Sequence, residues 1–180
     1  MDGKVKSISL AYPRTSGLFS LGAEEVVSRL KCKGYEESII FVEFEPTNID
    51  FILLSEFASM ADKNKEKKIV IISSKILLPL ARLYGAMFNT RIFVFNSNEP
   101  LPFIVEKILF GHTITKVSYP NPKVLSTKEA IIMEDTLKGV SIYRTGRLLG
   151  LDTKTVYHLR RSAGTKLGVR KLTDLRLRIQ

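Results

Sequence analysis

The chain has 180 residues, 44% of them hydrophobic and 26% charged, with a formal net charge of +10. That is enough apolar material for a buried core, which excludes a disordered chain. One cysteine, Cys32, excludes an intramolecular disulfide and a cysteine-cluster metal site, and no run approaches the ~20 apolar residues a membrane span needs. With no apolar stretch of signal-peptide type near Met1, a cytoplasmic protein is expected.

Residues 1–110 alternate short β-rich apolar runs with amphipathic segments, the pattern of an α/β domain. The runs Val5 to Ala11, Ile39 to Phe44, Ile69 to Ser73 and Ile92 to Phe95 suit buried parallel strands. Helices are predicted between and after them, at about 20–33, 48–61, 78–88 and 100–110. Thr47 with Asp50 three residues on has the form of a capping box, and Pro79 suits a first helical turn. Asp50 to Leu54 also reads as a strand, which would give the sheet a fifth member. The expected architecture is a small doubly wound parallel sheet with helices on both faces.

Little in this region carries chemistry. There is no glycine-rich phosphate loop, and Ser28-x-x-Lys31 lacks the further motifs of a Ser-Lys hydrolase. His112 has no second histidine or carboxylate at ligand spacing. Glu43, Glu45, Asp50 and Glu56 read as surface carboxylates, Lys63, Lys65, Lys67 and Lys68 as a solvated helix face, and Cys32 as an ordinary helix residue. The loops Tyr12 to Gly17 and Ser73 to Lys75 lie where α/β sheets often take small ligands, without identifying one. No enzyme activity, cofactor or metal is expected.

Residues 111–124 change character: Pro120 and Pro122 bracket Asn121, as befits a short, semi-rigid linker. In residues 125–180, Ser126 and Glu129 form the next capping box. Two short helices joined by a tight glycine turn follow, and Asp152 is placed to cap the second. At 100° per residue, Lys154, Tyr157, His158, Arg161 and Thr165 share one face of that helix. Val156, Leu159, Ala163 and Leu167 share the other, where they would dock on Leu148, Leu149 and Leu151. Residues 125–180 carry 12 Lys or Arg against 5 Asp or Glu, and residues 1–124 carry 16 against 13. A helix-turn-helix with the basic excess gathered on it is the layout of a reader of double-stranded DNA.

The same residues resemble the LuxR/FixJ-type helix-turn-helix regulators of bacteria. The match runs from Leu125-Ser126 and Glu129 through Gly139-x-Ser141 and Leu149-Gly150-Leu151 to Lys154-Thr155-Val156 and Lys166-Leu167-Gly168-Val169. The resemblance implies that Tyr157, His158 and Arg161 enter the major groove. It implies phosphate contacts from Lys154, Thr155 and Lys166, with Arg160, Arg170 and Lys171 also on the basic face. It further implies an all-α DNA-binding domain over 125–180 behind a receiver-like regulatory domain over 1–110. A receiver's phosphorylation residues are absent: Ala11-Tyr12-Pro13-Arg14 offers no acidic pair, and the phosphoacceptor and invariant Lys positions fall near Ser55 and Asn96. A receiver-like shell without phosphotransfer is expected.

The run KIVIISSKILLPLARLYG from Lys68 also looks like the small enterobacterial auxiliary regulators of capsule and Vi polysaccharide. That resemblance implies action as a homodimer, or as a heterodimer with a phosphorelay response regulator, on surface polysaccharide genes. The stripe Leu172, Leu175 and Ile179 serves equally as a dimer helix or as a cap on the chain's own core. Thr145, Gly146 and Ala163-Gly164 depart from the family's apolar pairs, and an internal helical glycine costs roughly 1 kcal/mol. They are the grounds for the alternative, a protein-interaction antagonist with a softened helix-turn-helix that docks on another regulator and binds DNA poorly.

Overall fold

The computed structural model describes residues 10–13, 17–88, 92–111 and 124–177. Most of the linker 111–124, with His112, and Ile179 lie outside them. Four parallel strands, β1 (Leu10–Tyr12), β2 (Ile39–Phe44), β3 (Lys68–Ser73) and β4 (Ile92–Asn96), lie side by side in chain order. The register pairs Leu10 with Ile40, Ile40 with Ile69 and Ile69 with Ile92. Helices α1 (Gly17–Cys32), α2 (Leu54–Lys63), α3 (Leu78–Met87) and α4 (Leu101–Leu109) accompany the sheet.

Because strand side chains alternate between faces, β2 sends Ile39 and Phe41 one way and Ile40, Val42 and Phe44 the other. Ile39, Phe41, Val70, Phe93 and Phe95 pack with Ala23, Val26 and Leu30 of α1 and Ile104, Val105 and Ile108 of α4. The opposite face meets α2 and α3 through an aromatic cluster of Phe44, Phe57, Tyr84 and Phe88, with Phe57 and Tyr84 centroids 4.6 Å apart. The sheet is therefore doubly wound, as expected.

Asp50 to Leu54 does not supply a fifth strand. Pro46 opens a 3-10 helix, Pro46–Phe51, with Glu45 at its N-cap and no side-chain cap, so the Thr47–Asp50 box does not form. All three strand connections step the same way along the sheet, yet α1 lies on the face opposite α2 and α3. The β1–β2 connection therefore has the opposite hand to the other two, a departure from the usual uniform hand. The row matches positions 1-3-4-5 of the doubly wound order 2-1-3-4-5, without the strand and helix that would lie outside β1 among the described residues. Ser55 accordingly sits on α2 and not at a strand end, and β2 finishes on Glu43-Phe44, with Glu45 just past it. Lys68 is no solvated helix residue either: it lies on β3, with its ammonium 3.0 Å from Glu37 and over the Tyr35 ring.

The C-terminal helices are α5 (Thr127–Leu137), α6 (Ile142–Leu149), α7 (Thr153–Leu167) and α8 (Asp174–Leu177). They share a core with the sheet: Val124, Leu125, Ala130, Met133, Leu137, Ala163, Leu167, Leu172 and Leu175 join the cluster that contains Phe44, Phe57 and Tyr84. Polar contacts hold the same junction. Helix α2 has Leu53 at its N-cap, which cannot accept a hydrogen bond through its side chain. Glu134 of α5 takes that role, accepting from the Ser55 backbone N–H (3.1 Å) and from Ser55 Oγ (2.6 Å). Lys138 Nζ donates to Glu134 (2.6 Å) and to Ser55 Oγ (3.1 Å). Burial pushes the Glu134 carboxyl up, but Lys138 and the two Ser55 donors hold it below its ordinary value. Leu125 N–H donates to the Pro79 carbonyl (3.2 Å), and Arg176 pairs with Asp50. Leu172 and Leu175 are thus spent on the chain's own core, which decides between the two uses of that stripe in this structure.

Candidate nucleic-acid interface

Helix α5 starts at a reciprocal capping box: Ser126 Oγ accepts from the Glu129 N–H, and Glu129 accepts from the Ser126 N–H. This is the sequence-predicted box. Helix α6 is capped by Ser141, whose Oγ accepts from the Arg144 N–H (3.3 Å). It stops at Gly150, whose φ of +64° is open to glycine at little steric cost. The Leu151 N–H then returns to the Gly146 carbonyl (2.9 Å). Helix α7 repeats the device at its own end, with Gly168 at φ +66° and Val169 N–H bonded to the Gly164 carbonyl (2.9 Å). The sequence carries this twice, as Gly146-x-x-Leu149-Gly150-Leu151 and Gly164-x-x-Leu167-Gly168-Val169.

Those contacts give both glycines of the expected softened module a structural reason. A Cβ on Gly146 would lie 2.7 Å from the Leu151 carbonyl oxygen, and one on Gly164 would lie 3.1 Å from that of Val169. Both glycines stand where the returning chain crosses the helix, and Gly146 also admits Val156 of α7. Thr145 is buried and donates to Asp135 of α5 at 2.6 Å, so a hydrogen bond replaces apolar packing.

Helix α7 packs through Val156, Ala163, Gly164 and Leu167, with Leu159 partly covered. Lys154, Tyr157, His158, Arg161 and Thr165 are exposed along its other face, as the helical wheel requires. Among the described residues no carboxylate pairs with Lys154, Arg160 or Arg161. Arg160 is half-buried at the margin. Arg170 and Lys171 are exposed just past the helix.

Three expectations change. Lys166 does not extend to solvent: its Nζ lies 2.8 Å from Glu129 Oε2 and 3.0 Å from the Val124 carbonyl oxygen. Glu129 is 2% exposed and also accepts from Ser162 Oγ (2.6 Å). Burial raises the Glu129 carboxyl, yet Lys166, the Ser126 N–H and Ser162 together hold it below its ordinary value. Lys166 is accordingly an internal tie between α7 and the start of α5, because a buried carboxylate must be paired. Thr155, the second change, gives its N–H (2.8 Å) and its hydroxyl proton (2.7 Å) to Asp152. That same pairing lowers the Asp152 carboxyl, so a carboxylate already occupies the N-terminus of α7. The third is Leu148, which is 70% exposed and does not dock on α7. Helix α6 instead packs through Thr145 and Gly146.

Sequence reasoning passed over Arg144 and Arg147, both exposed on α6 without a carboxylate partner among the described residues. Their spacing of nearly one turn, opposite Thr145 and Gly146, was the available signal. A cavity of about 640 Å³ lies between Ala58, Asp62, Lys65 and the starts of β3 and β4. It is at the other end of the sheet from the loops expected to take a ligand.

No protein-family model matches the chain, and no curated protein matches it. Among solved structures it is similar to the two-component response regulator RcsB in a DNA complex, at 14% identity over 95% of this chain and 97% of that one, with a TM-score of 0.44. It is also similar to RcsB of Salmonella typhimurium, at 12% identity over 94% and 96% with a TM-score of 0.38. A structure of two RcsB dimers on two parallel DNAs gives 14% identity over 96% and 100%, with a TM-score of 0.39.

Proposed function

We propose that this chain is a sequence-specific double-stranded DNA-binding transcriptional regulator with a helical reading unit over 125–180 and a receiver-like sheet unit over 1–110. The carrying observation is the outward face of α7: Lys154, Tyr157, His158 and Arg161 are exposed side by side on a capped helix that follows a fixed glycine turn. In this reading Tyr157, His158 and Arg161 meet base edges. Lys154 and Arg160 meet phosphate, and Arg170 and Lys171 extend the basic margin. Arg144 and Arg147 of α6 add positive charge beside it. Lys166 and Thr155 serve by fixing the angle of α7.

Regulation does not pass through phosphoryl transfer in this proposal. The C-terminal end of β2 carries Glu43, with Glu45 just past it, and no aspartate, and Asn96 ends β4. Control acts through abundance, through a second copy, or through a partner response regulator, and the regulated genes are those of surface polysaccharide. The test is to pass genomic fragments over the purified chain at near-physiological salt and sequence what is retained, with and without host lysate. Discrete sites retained by wild type and lost by Arg161→Ala support the reading. Retention without sequence preference, or none under either condition, overturns it.

A further inference from the structure

Two helices on different parts of the molecule expose apolar side chains flanked by charges of opposite sign. On α1, Leu18 is 83% and Leu21 63% exposed, and Leu18, Leu21 and Glu25 follow one stripe with Glu24 beside it. That stripe faces away from Ala23, Val26 and Leu30, which bind α1 to the sheet. On α6, Tyr143 is 73% and Leu148 70% exposed, with Arg144 and Arg147 between them. These four lie opposite Thr145 and Gly146, the residues that pack the helix. Glu25 holds Arg29 at 2.7 Å, an exposed pair of small energetic weight that can be exchanged.

We infer that the exposed face of α1 on one copy of this chain binds the exposed face of α6 on a second copy. The two faces match in kind: two apolar side chains and two carboxylates on one, two apolar side chains and two guanidinium groups on the other. Arginine is suited to the role, since its guanidinium pairs with carboxylate in a bidentate fork while its stem covers apolar surface. Phosphate alone would use Arg144 and Arg147 but would leave Leu148 uncovered. The contact pairs α1 of one copy with α6 of the other, and two copies can make it reciprocally about a twofold axis. It is small, so it gains most where DNA already holds two copies close together. The inference specifies the self-association in the function proposed above, and its association measurement uses no DNA, so either can fail without the other.

Sedimentation equilibrium of the full chain at low and high salt measures it. Wild type is expected to self-associate, less at high salt. Glu24→Lys with Glu25→Lys, and separately Arg144→Glu with Arg147→Glu, each place like charges across the contact. Each is expected to weaken self-association about tenfold or more, with circular dichroism confirming that both variants are folded. An equimolar mixture of the two variants faces opposite charges again and is expected to associate as wild type does. A wild type that stays monomeric, variants that associate as wild type does, or a mixture that stays monomeric would each overturn the inference. So would loss of DNA binding by Leu148→Ser at concentrations where the chain is monomeric, which would give that face to DNA.

Discussion

Replacing Lys166 by methionine keeps the length and apolar stem of the side chain and removes its charge. Glu129 would then be a carboxylate at 2% exposure with two donors, the Ser126 N–H at 2.6 Å and Ser162 Oγ at 2.6 Å, and no countercharge. Breaking a buried ion pair from one side costs about 3–5 kcal/mol. The lysine side chain is 21% exposed, so the lower end, about 3 kcal/mol, is expected. For a chain of this size that corresponds to a fall in Tm of roughly 6–12 °C. Adding Glu129→Gln removes the stranded charge and should recover about half of the loss. The pH dependence should change sign. In wild type the folded carboxyl lies below its unfolded value, so its contribution is present at neutral pH and is lost as pH falls through the folded value. In Lys166→Met the burial that raises that carboxyl loses its largest counterweight, so the deficit should shrink as pH falls through the raised value. Urea unfolding followed by circular dichroism, at a series of pH values, reads both effects. A loss under about 0.5 kcal/mol, accompanied by weaker binding to every DNA sequence, would refute the argument and restore Lys166 to phosphate contact.

Arg161→Ala should lower affinity for a retained genomic site by about 1–3 kcal/mol and relax preference at one base position, read by competition binding at fixed salt. Gly146→Ala should destabilise by up to about 2 kcal/mol in urea unfolding, since overpacking against a backbone carbonyl outweighs the helix-propensity gain; a stabilised variant would contradict the close approach. Gly164→Ala, with its wider 3.1 Å approach, should stay within about 0.5 kcal/mol of wild type. Glu134→Ala strips α2 of its cap and leaves Lys138 without its carboxylate, so a loss of about 1–2 kcal/mol is expected, seen also as faster amide exchange at Ser55.

Much of this was legible from residue types that act locally. The strand Ile39–Phe44 appears at its predicted limits, because a run of buried apolar residues needs only its neighbours to declare itself. The caps at Ser126 and Asp152 were readable for the same reason: a side-chain oxygen bonds an N–H three residues on. What escaped depends on partners far along the chain. Glu134 is 79 residues from the Ser55 hydroxyl that it bonds, and nothing near Leu53 announces where its missing cap comes from. Lys166 fits a basic face until Glu129, buried 37 residues earlier, claims its charge. The 3-10 helix at Pro46 was hidden by Ile49, Phe51 and Ile52, whose apolar character suits a strand equally well. The close approach at Gly146 escaped because propensity scores the helix alone, whereas the carbonyl that excludes a side chain there belongs to Leu151, after the turn.

The core that runs from Phe44 and Tyr84 into Ala163 and Leu167 has a consequence for genetics. The helix that carries Arg161 is fastened from behind by the same buried cluster that holds the sheet, so the two melt as one cooperative unit. Substitutions at Phe57, Tyr84 or Leu175, none of which lies on the exposed face of α7, would therefore abolish the proposed DNA recognition in a screen. A map of inactivating mutations would trace that buried cluster as well as the proposed reading surface.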